Sequence, residues 1–579
     1  MTAVEIVRRR SADVGEWPQQ VPPLLRRVLV ARGIADHQQA QLRLAQLLPP
    51  ELLGGIGDAA ELLIAAIARD AVIVITGDFD CDGATATAVA VRGLRLLGAR
   101  QVRYRVPNRS THGYGLSPAL VRDIAVMSPS VVVTVDSGIA CHAGVAAAKA
   151  MGWQVIVTDH HLPGAQLPAA DVIVNPNCDG DMFPSKSLAG VGVMFYLLLE
   201  VRRRLRERGA PGGAADLSSL LDLVAIGTVA DMVKLDHNNR ILVAAGLARI
   251  RRGLGNAGVQ ALIAVTGRES THLSSADIGF ALAPRLNAAG RLEDMSIGIA
   301  CLLSDDPAQA RELATQLDAI NAERRVVQQQ MVDEAESLAA AIVLDGDALP
   351  AALCLFDPGW HPGVVGLVAS RLKDRWHRPV LAFAPASPEA ERSDRPLRGS
   401  ARSIPGFHIR DALALVDARH PGMIERFGGH AMAAGLSLAH DALSAFSAAF
   451  TECAAHMLEP AMLAQQLETD GHLQPDEFTL ANAQALAMAG PWGQGFPEPL
   501  FDGVFEVLDW KLLGERHLRM ELLPAAGGAA ITAIHFGGWR GQPPAATLRV
   551  VYQLAINRYR GREALQLIIQ HCEQACVSS

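Results

Sequence analysis

Gly77-Asp78-Phe79-Asp80-Cys81-Asp82-Gly83 places three carboxylates at alternate positions between two glycines. Three such groups cannot all be ionised in a half-buried turn without compensating positive charge, and a divalent cation supplies it. An Asx-rich surface turn is the ordinary reading of Asp-x-Asp, but the preceding AVIVIT is too apolar for an exposed hairpin. Three more segments carry similar chemistry: Val135-Asp136-Ser137-Gly138, Thr158-Asp159-His160-His161-Leu162-Pro163, and Asp231 closing the apolar run LVAIGTVA. Taken alone, Asp136 reads as a helix cap, and a lone histidine as a satisfied structural residue. Adjacent histidines point different ways on an extended segment, so one is expected to bind metal and the other to reach substrate. Asp80, Asp82, Asp136, His160 and Asp231 together form a carboxylate-rich, imidazole-poor set, which favours Mn²⁺ or Mg²⁺ over zinc. Five such ligands are too many for one ion. Two cations about 3.5–4 Å apart are expected, bridged by Asp136 and holding a hydroxide for in-line attack at phosphorus.

The elements that must position these groups are legible in the periodicity. From about 71 to 176, β-branched runs alternate with small-residue helical stretches, the pattern of a parallel sheet covered by helices. The strands read AVIVIT (71–76), VVVTV (131–135), QVIVT (154–158) and DVIVN (171–175). Ligand sites of open α/β sheets lie at the carboxyl ends of the strands, so Asp78, Asp136 and Asp159 should meet in one crevice. The region 186–300 reads as mostly helical, with two loops, AIGTVADMVKLD (225–236) and APRLNAAGRLED (283–294). Asp305-Asp306-Pro307 is a helix start, and neither Gly nor Pro follows until Gly346. One helix there would be about 50 Å long at ~1.5 Å per residue, enough to join two domains. A second α/β unit follows, with AALCLF (351–356) and PVLAFA (379–384) as strands and GSARS and FGGHAMAAG as Gly-rich loops. From about 466, five short strand patterns suggest a small barrel.

Composition narrows the class. The 579 residues carry 52 Lys+Arg against 60 Asp+Glu, and a net charge of −8 excludes a surface that is basic all over. Any polyanion must meet a local patch. Residues 371–410 hold nine Arg/Lys against four acids, a local +5 that suits phosphate contacts. No stretch of about 18 uncharged apolar residues occurs, and arginines interrupt the N-terminus, so no membrane span or signal peptide is expected and the chain reads as cytoplasmic. Eight scattered cysteines without a CxxC pair fit a reducing compartment, and His571-Cys572-x-x-x-Cys576 lacks the usual zinc spacing.

GDFDCDG, VDSG, DHH and GTVAD together resemble the DHH phosphoesterase superfamily. PNRSTHGYG, APRLNAAGRL, WHPGVVGLVASR, GSARS, FGGHAMAAG and PWGQGFPEPLFDG narrow the resemblance to its single-strand-specific 5′→3′ DNA exonucleases, from about residue 60 to the C-terminus. Residues 1–60, ahead of the resemblance, read as a helical N-terminal extension, and the resemblance implies a DHH catalytic domain with a parallel sheet (61–300). A long connecting helix (301–345), a second α/β DHH-associated (DHHA1) domain (346–460) and a C-terminal all-β OB fold (461–579) follow. By motif, Asp80, Asp82, Asp136, His160 and Asp231 fall on metal-ligand positions. His161 falls on a contact to the scissile phosphate or leaving group, and Asp78 on a group that assists the metal or orients its water. The implied reaction is processive release of 5′-mononucleotides from single-stranded DNA, in recombination and repair. A helicase and the single-stranded-DNA-binding protein are the implied partners, and a monomer is expected.

A nuclease that starts from an end must recognise a terminal phosphate, which calls for guanidinium forks or backbone N–H groups. The candidates are Arg109 and His112 in PNRSTHG, Arg285 and Arg291 flanking an Asn287-Ala-Ala-Gly turn, Ser400 and Arg402 in GSARS, and His430 in GGH. Surface arginines without a role are the alternative. The resemblance implies that these loops bind the strand and its 5′ phosphate. Among few aromatics, Trp360, Phe407, Trp492 and Phe496 stand out as base-stacking platforms, although each is more often core. Trp492 and Phe496 are expected to make an interdomain contact instead. Two rival readings are a superfamily pyrophosphatase or short-oligonucleotide phosphatase, and a non-catalytic single-strand-binding scaffold. The barrel-like C-terminus argues against the first, and the full ligand set against the second.

Overall fold

The computed structural model describes residues 4–10, 16–108, 111–344, 349–386, 396–559 and 561–575. It divides into two compact units, Arg8–Ala319 with Glu468–Ser579, and Ile320–Leu467 with Met1–Val7.

In the larger unit a five-stranded parallel sheet runs in the order Val102–Tyr104, Ile73–Thr76, Val131–Val135, Gln154–Thr158, Val172–Val174. The two central strands are buried along their whole length, as a sheet covered on both faces requires. Alternation divides their side chains between two cores. Ile73, Ile75, Val131, Val133 and Ile156 join the cluster under helices Cys81–Leu96 and Gly190–Glu207, whereas Val74, Val132, Val155 and Val157 join the one containing Leu120, Val145 and Trp153. Four strands were legible in the sequence. The fifth, Val102–Tyr104, is an edge strand of three residues.

Of the two expected loops of the next region, the first is helical only over its first half and the second is largely helical. Residues Leu221–Ala230 form a helix with Asp231 as its C-cap, and Ala283–Leu292 form another. Pro284 stands in the first turn of the latter, where proline is tolerated, so Arg285 and Arg291 do not flank a turn. Gly290 is required by packing: a Cβ there would lie 1.8 Å from the Phe79 carbonyl oxygen. The expected long helix runs Pro307–Leu344, 38 residues or about 57 Å.

The five C-terminal strand patterns form a closed barrel of Phe501–Leu513, His517–Pro524, Ile531–His535, Arg562–Gln574 and Thr547–Tyr559, in that order around the wall. The N-terminal segment packs on it. Leu24 and Val28, from helix Pro23–Val30, share the barrel's core with Phe501, Phe505 and Tyr552. Arg32 pairs with Asp470 at 2.6 Å and Arg8 with Asp502 at 2.8 Å. Trp492 and Phe496 stack on each other at 5.2 Å, with Arg32 over the indole and Arg240 over the Phe496 ring at 3.7 Å. These two rings join the parallel-sheet core to the barrel core, as expected, and are not stacking platforms.

The smaller unit holds a mixed five-stranded sheet in the order Arg426–Gly429, Ala433–Leu438, Leu397–Arg402, Val380–Pro385, Leu353–Phe356. GSARS and FGGHAMAAG were expected as loops, but they supply strand Leu397–Arg402 and the hairpin around His430. Close packing explains Gly399 and Gly429: a Cβ would lie 2.4 Å from the Phe383 ring at the first and 2.4 Å from the Ala433 carbonyl oxygen at the second. Trp360 and Phe407 are buried in this unit, and the Trp360 Nε1–H donates to Glu334. Neither offers a free face. Among the described residues no helix is long and apolar enough to cross a membrane, and seven described cysteines are free thiols, with Cys576 outside the described residues.

Candidate metal centre

Three strand ends and the C-cap of helix Leu221–Ala230 meet as expected. Three clusters of ligand atoms, each within 4.8 Å, are Asp78/Asp80/Asp136, Asp136/His160/His161 and Asp82/His160/Asp231. Asp136 and His160 each belong to two of them. His160 Nε2 lies 3.1 Å from Asp136 Oδ1 and 3.5 Å from Asp231 Oδ2, and both oxygens are buried without a hydrogen-bond donor. Buried carboxylate oxygens that face an imidazole nitrogen outside hydrogen-bond geometry are arranged as a ligand set. Hard oxygen donors with one or two nitrogens fit divalent cations of the Mn²⁺/Mg²⁺ class.

The backbone places each acid. Asp80 caps helix Cys81–Leu96, its Oδ1 accepting from Asp82 N and Gly83 N. Asp78 Oδ1 accepts from Asp80 N. Asp82 is held by the start of helix Gly190–Glu207, with Gly190 N donating to Oδ2 at 2.6 Å and Val191 N to Oδ1 at 3.0 Å. Asp136 sits at φ 56°, the left-handed region that Asp tolerates better than most residues, and this turns its carboxylate back over the sheet edge.

Burial, followed by repulsion from neighbouring carboxylates, pushes Asp78, Asp136 and Asp231 well above the usual carboxylate range. Burial and Asp80 push Asp82 up to about 7, against the two backbone donors. The cluster therefore cannot hold its full negative charge without cations.

Asp159 received no role from its position in the sequence, yet it organises the histidines. Its Oδ1 accepts from His160 N at 2.7 Å, His161 N at 3.1 Å and His161 Nδ1 at 2.7 Å, and its Oδ2 from Ile139 N at 2.9 Å. Burial alone would lower the His161 value, but the hydrogen bond and charge of Asp159 raise it. Asn175 and Asn177 complete the clamp, their side-chain amides donating to the His161 and His160 carbonyls. The Tyr114 ring stands edge-on to His161. An acid directly before two histidines was the available signal for Asp159; nothing local marked the two asparagines.

Residues 72–228 match the DHH family, N-terminal domain, 346–456 the DHHA1 domain, and 469–571 the RecJ OB domain. The single-stranded-DNA-specific exonuclease RecJ of Dickeya dadantii (strain 3937) is 49% identical over 578 residues, 99% of this chain and 99% of that protein. The chain belongs to the RecJ family. Among solved structures, RecJ from Thermus thermophilus in complex with Mn²⁺ is similar at TM-score 0.80 and 29% identity, over 99% of this chain and 80% of that one. The Mg²⁺ complex of the same Thermus protein gives 0.75 and 28%, over 99% and 79%.

The expected substrate-binding residues of this RecJ-family chain are less uniformly placed. Arg109 lies outside the described residues. His112 is locked within its own loop, Nδ1 accepting from Asn108 N and Nε2 3.0 Å from Asp123. Arg285 is committed to Asp318 at 2.7 Å and to the Ala281 carbonyl. Asn287 buttresses the acidic loop, its Oδ1 accepting from Cys81 N at 2.9 Å. Arg291 lies in the last turn of its helix. In the smaller unit, Arg402 donates to Ser400 Oγ at 3.1 Å beside Gly366, and His430 is exposed at the hairpin turn.

Proposed function

We propose that the chain is a metal-dependent exodeoxyribonuclease that hydrolyses single-stranded DNA from its 5′ end and releases 5′-mononucleotides. The observation that carries this reading is the convergence of Asp136 Oδ1 and Asp231 Oδ2 on His160 Nε2 within an acid-dominated pocket. Family membership over the whole chain supports the substrate, and this chain carries matches to the DHH, DHHA1 and RecJ OB domains.

Asp80, Asp82, Asp136, His160 and Asp231 hold the cations, and Asp78 orients the Asp80 backbone between them. Divalent cations there lower the pKa of a water and neutralise charge on the phosphodiester. Asp159 raises the pKa of His161 and fixes Nδ1, which favours the protonated ring that would give its Nε2 proton to the departing 3′-oxygen as water adds to phosphorus. The first nucleotide leaves as a 5′-mononucleotide, and the shortened strand keeps a 5′ phosphate. Arg109, Arg291, Ser400, Arg402 and His430 remain the proposed contacts to strand and 5′ end, while Asn287 positions the acidic loop and Arg285 ties its own helix to Asp318. A helicase and single-stranded-DNA-binding protein as partners rest on the family resemblance; a monomeric state and a cytoplasmic location, the latter resting on the apolar patterning of the sequence, belong to the same reading.

A 5′-phosphorylated single strand labelled at its first nucleotide, incubated with Mn²⁺, should release labelled mononucleotide, while blunt duplex stays intact and Asp136→Ala is inactive. Release from duplex at the same rate, or activity retained in a chelator, would overturn the reading.

A further inference from the structure

On the larger unit, a cavity of about 480 Å³ opens between the last turns of helices Cys81–Leu96 and His237–Arg251 and the start of helix Ala257–Val265. Its lining is unlike that of the acidic cluster. Arg92, Arg95 and Arg249 all face it, and Asp305 is the one carboxylate in its lining. Arginine in the last turn of a helix offsets the carbonyl end of that helix, which accounts for Arg95 and Arg249 singly. It does not account for their meeting at one concave surface. Arg249 Nε is shut off from solvent and has no hydrogen-bond partner, a costly state for a guanidinium donor unless a ligand engages the group. Arg95 makes one long contact, to the Val102 carbonyl at 3.4 Å. Arg92 donates to the Leu302 and Ser304 carbonyls and pairs with Asp305, whose side chain is 85% exposed, so the Asp305 contact is open to exchange for a bound anion while the backbone contacts hold the guanidinium in place.

The rest of the wall is apolar. Leu220, Leu223 and Leu303 line it, and Leu96 and Leu254 expose much of their side chains at the same cavity. A lining of guanidinium groups and leucines suits a ligand with a phosphate head and a flat apolar body, and the volume falls in the range of small-ligand pockets.

We propose that this cavity is a second phosphate-binding site, separate from the acidic cluster, that takes a free nucleoside monophosphate. Only the choice of ligand rests on the nuclease reading, because that reaction releases this chemical class; the site itself rests on the three arginines and their cavity.

The test is calorimetric titration of dAMP into the full-length chain in EDTA, with deoxyadenosine as the phosphate-free control. One dAMP should bind per chain, and deoxyadenosine at least about tenfold more weakly. Arg249→Gln and the exposed Arg95→Ala should each weaken dAMP by about tenfold or more, while Asp136→Ala leaves it unchanged. Arg95→Ala keeps the test decisive if Arg249→Gln melts early. No saturable binding, equal binding of deoxyadenosine, indifference to Arg95→Ala, or loss of binding in Asp136→Ala would overturn the proposal. Nuclease activity of Arg95→Ala, followed separately, keeps a failure here distinct from a failure of the nuclease reading.

Discussion

Gly190 N donates to Asp82 at 2.6 Å while the Gly190 Cα lies so close to Asp136 that a Cβ would stand 2.4 Å from the Asp136 Cβ. One helix start thus holds one acid of the centre and sets the clearance for another.

Gly190→Ala should therefore fold yet bind metal poorly. The added methyl must displace Asp136 or withdraw the Asp82 donors, and losses of about 10- to 100-fold in metal affinity are usual when such supporting contacts go. Mn²⁺ titration followed by calorimetry, with circular dichroism to verify the fold, checks this. Wild-type affinity in the variant would mean that the helix start does not support the site.

Metal should act as a pH-dependent stabiliser. Asp78, Asp136 and Asp231 are raised well above ordinary carboxylates, and Asp82 to about 7. The folded, metal-free chain then binds more protons than the unfolded chain between the ordinary carboxylate range and about pH 7, so this cluster costs stability as pH rises through that window. Cations replace those protons, so the melting-temperature gain on adding Mn²⁺ should grow between about pH 5 and about pH 8. Thermal melts with and without Mn²⁺ read this directly; a gain that is flat with pH would contradict it.

Asp159→Asn should lower activity without removing a proposed ligand. The carboxylate that raises the His161 pKa is lost, so the alkaline limb of the rate profile should move to lower pH, and the rate at neutral pH should fall about 10²-fold, the low end of a general-acid contribution. Metal affinity measured in parallel separates this from simple loss of the centre. A uniform loss with an unmoved limb would assign Asp159 to structure alone.

The Arg32–Asp470 pair tests the attachment of the N-terminal segment to the barrel. Its side chains are only 2% and 1% exposed, and Asp470 also accepts from Leu500 N. Removing one partner leaves a buried unpaired charge, so Asp470→Ala should cost about 3–5 kcal/mol. Urea unfolding of the variant measures it, and a loss below about 1 kcal/mol would mean that water reaches the pair.

Legibility varied with the kind of signal. The acids at 78, 136 and 159 could be placed because parallel strands are long unbroken apolar runs, and their ends are marked by the first charge. The helix Ala283–Leu292 was misread because proline and glycine usually break helices, whereas here Pro284 occupies a first turn and Gly290 gives clearance to the Phe79 carbonyl. GSARS and the segment around His430 failed for a related reason: Gly399 and Gly429 permit close strand packing, which composition cannot distinguish from loop freedom.

The order of residues along the chain was enough to determine that carboxylates and imidazoles end at one edge of a buried sheet, because alternation and burial act locally. Which oxygens face a common centre was decided by contacts between distant segments: the 190s helix on Asp82, the left-handed turn at Asp136, and the Asp159 clamp on two histidines. Hydrogen-bond direction and close approach exist only between folded surfaces, and neither is encoded in any single stretch of sequence.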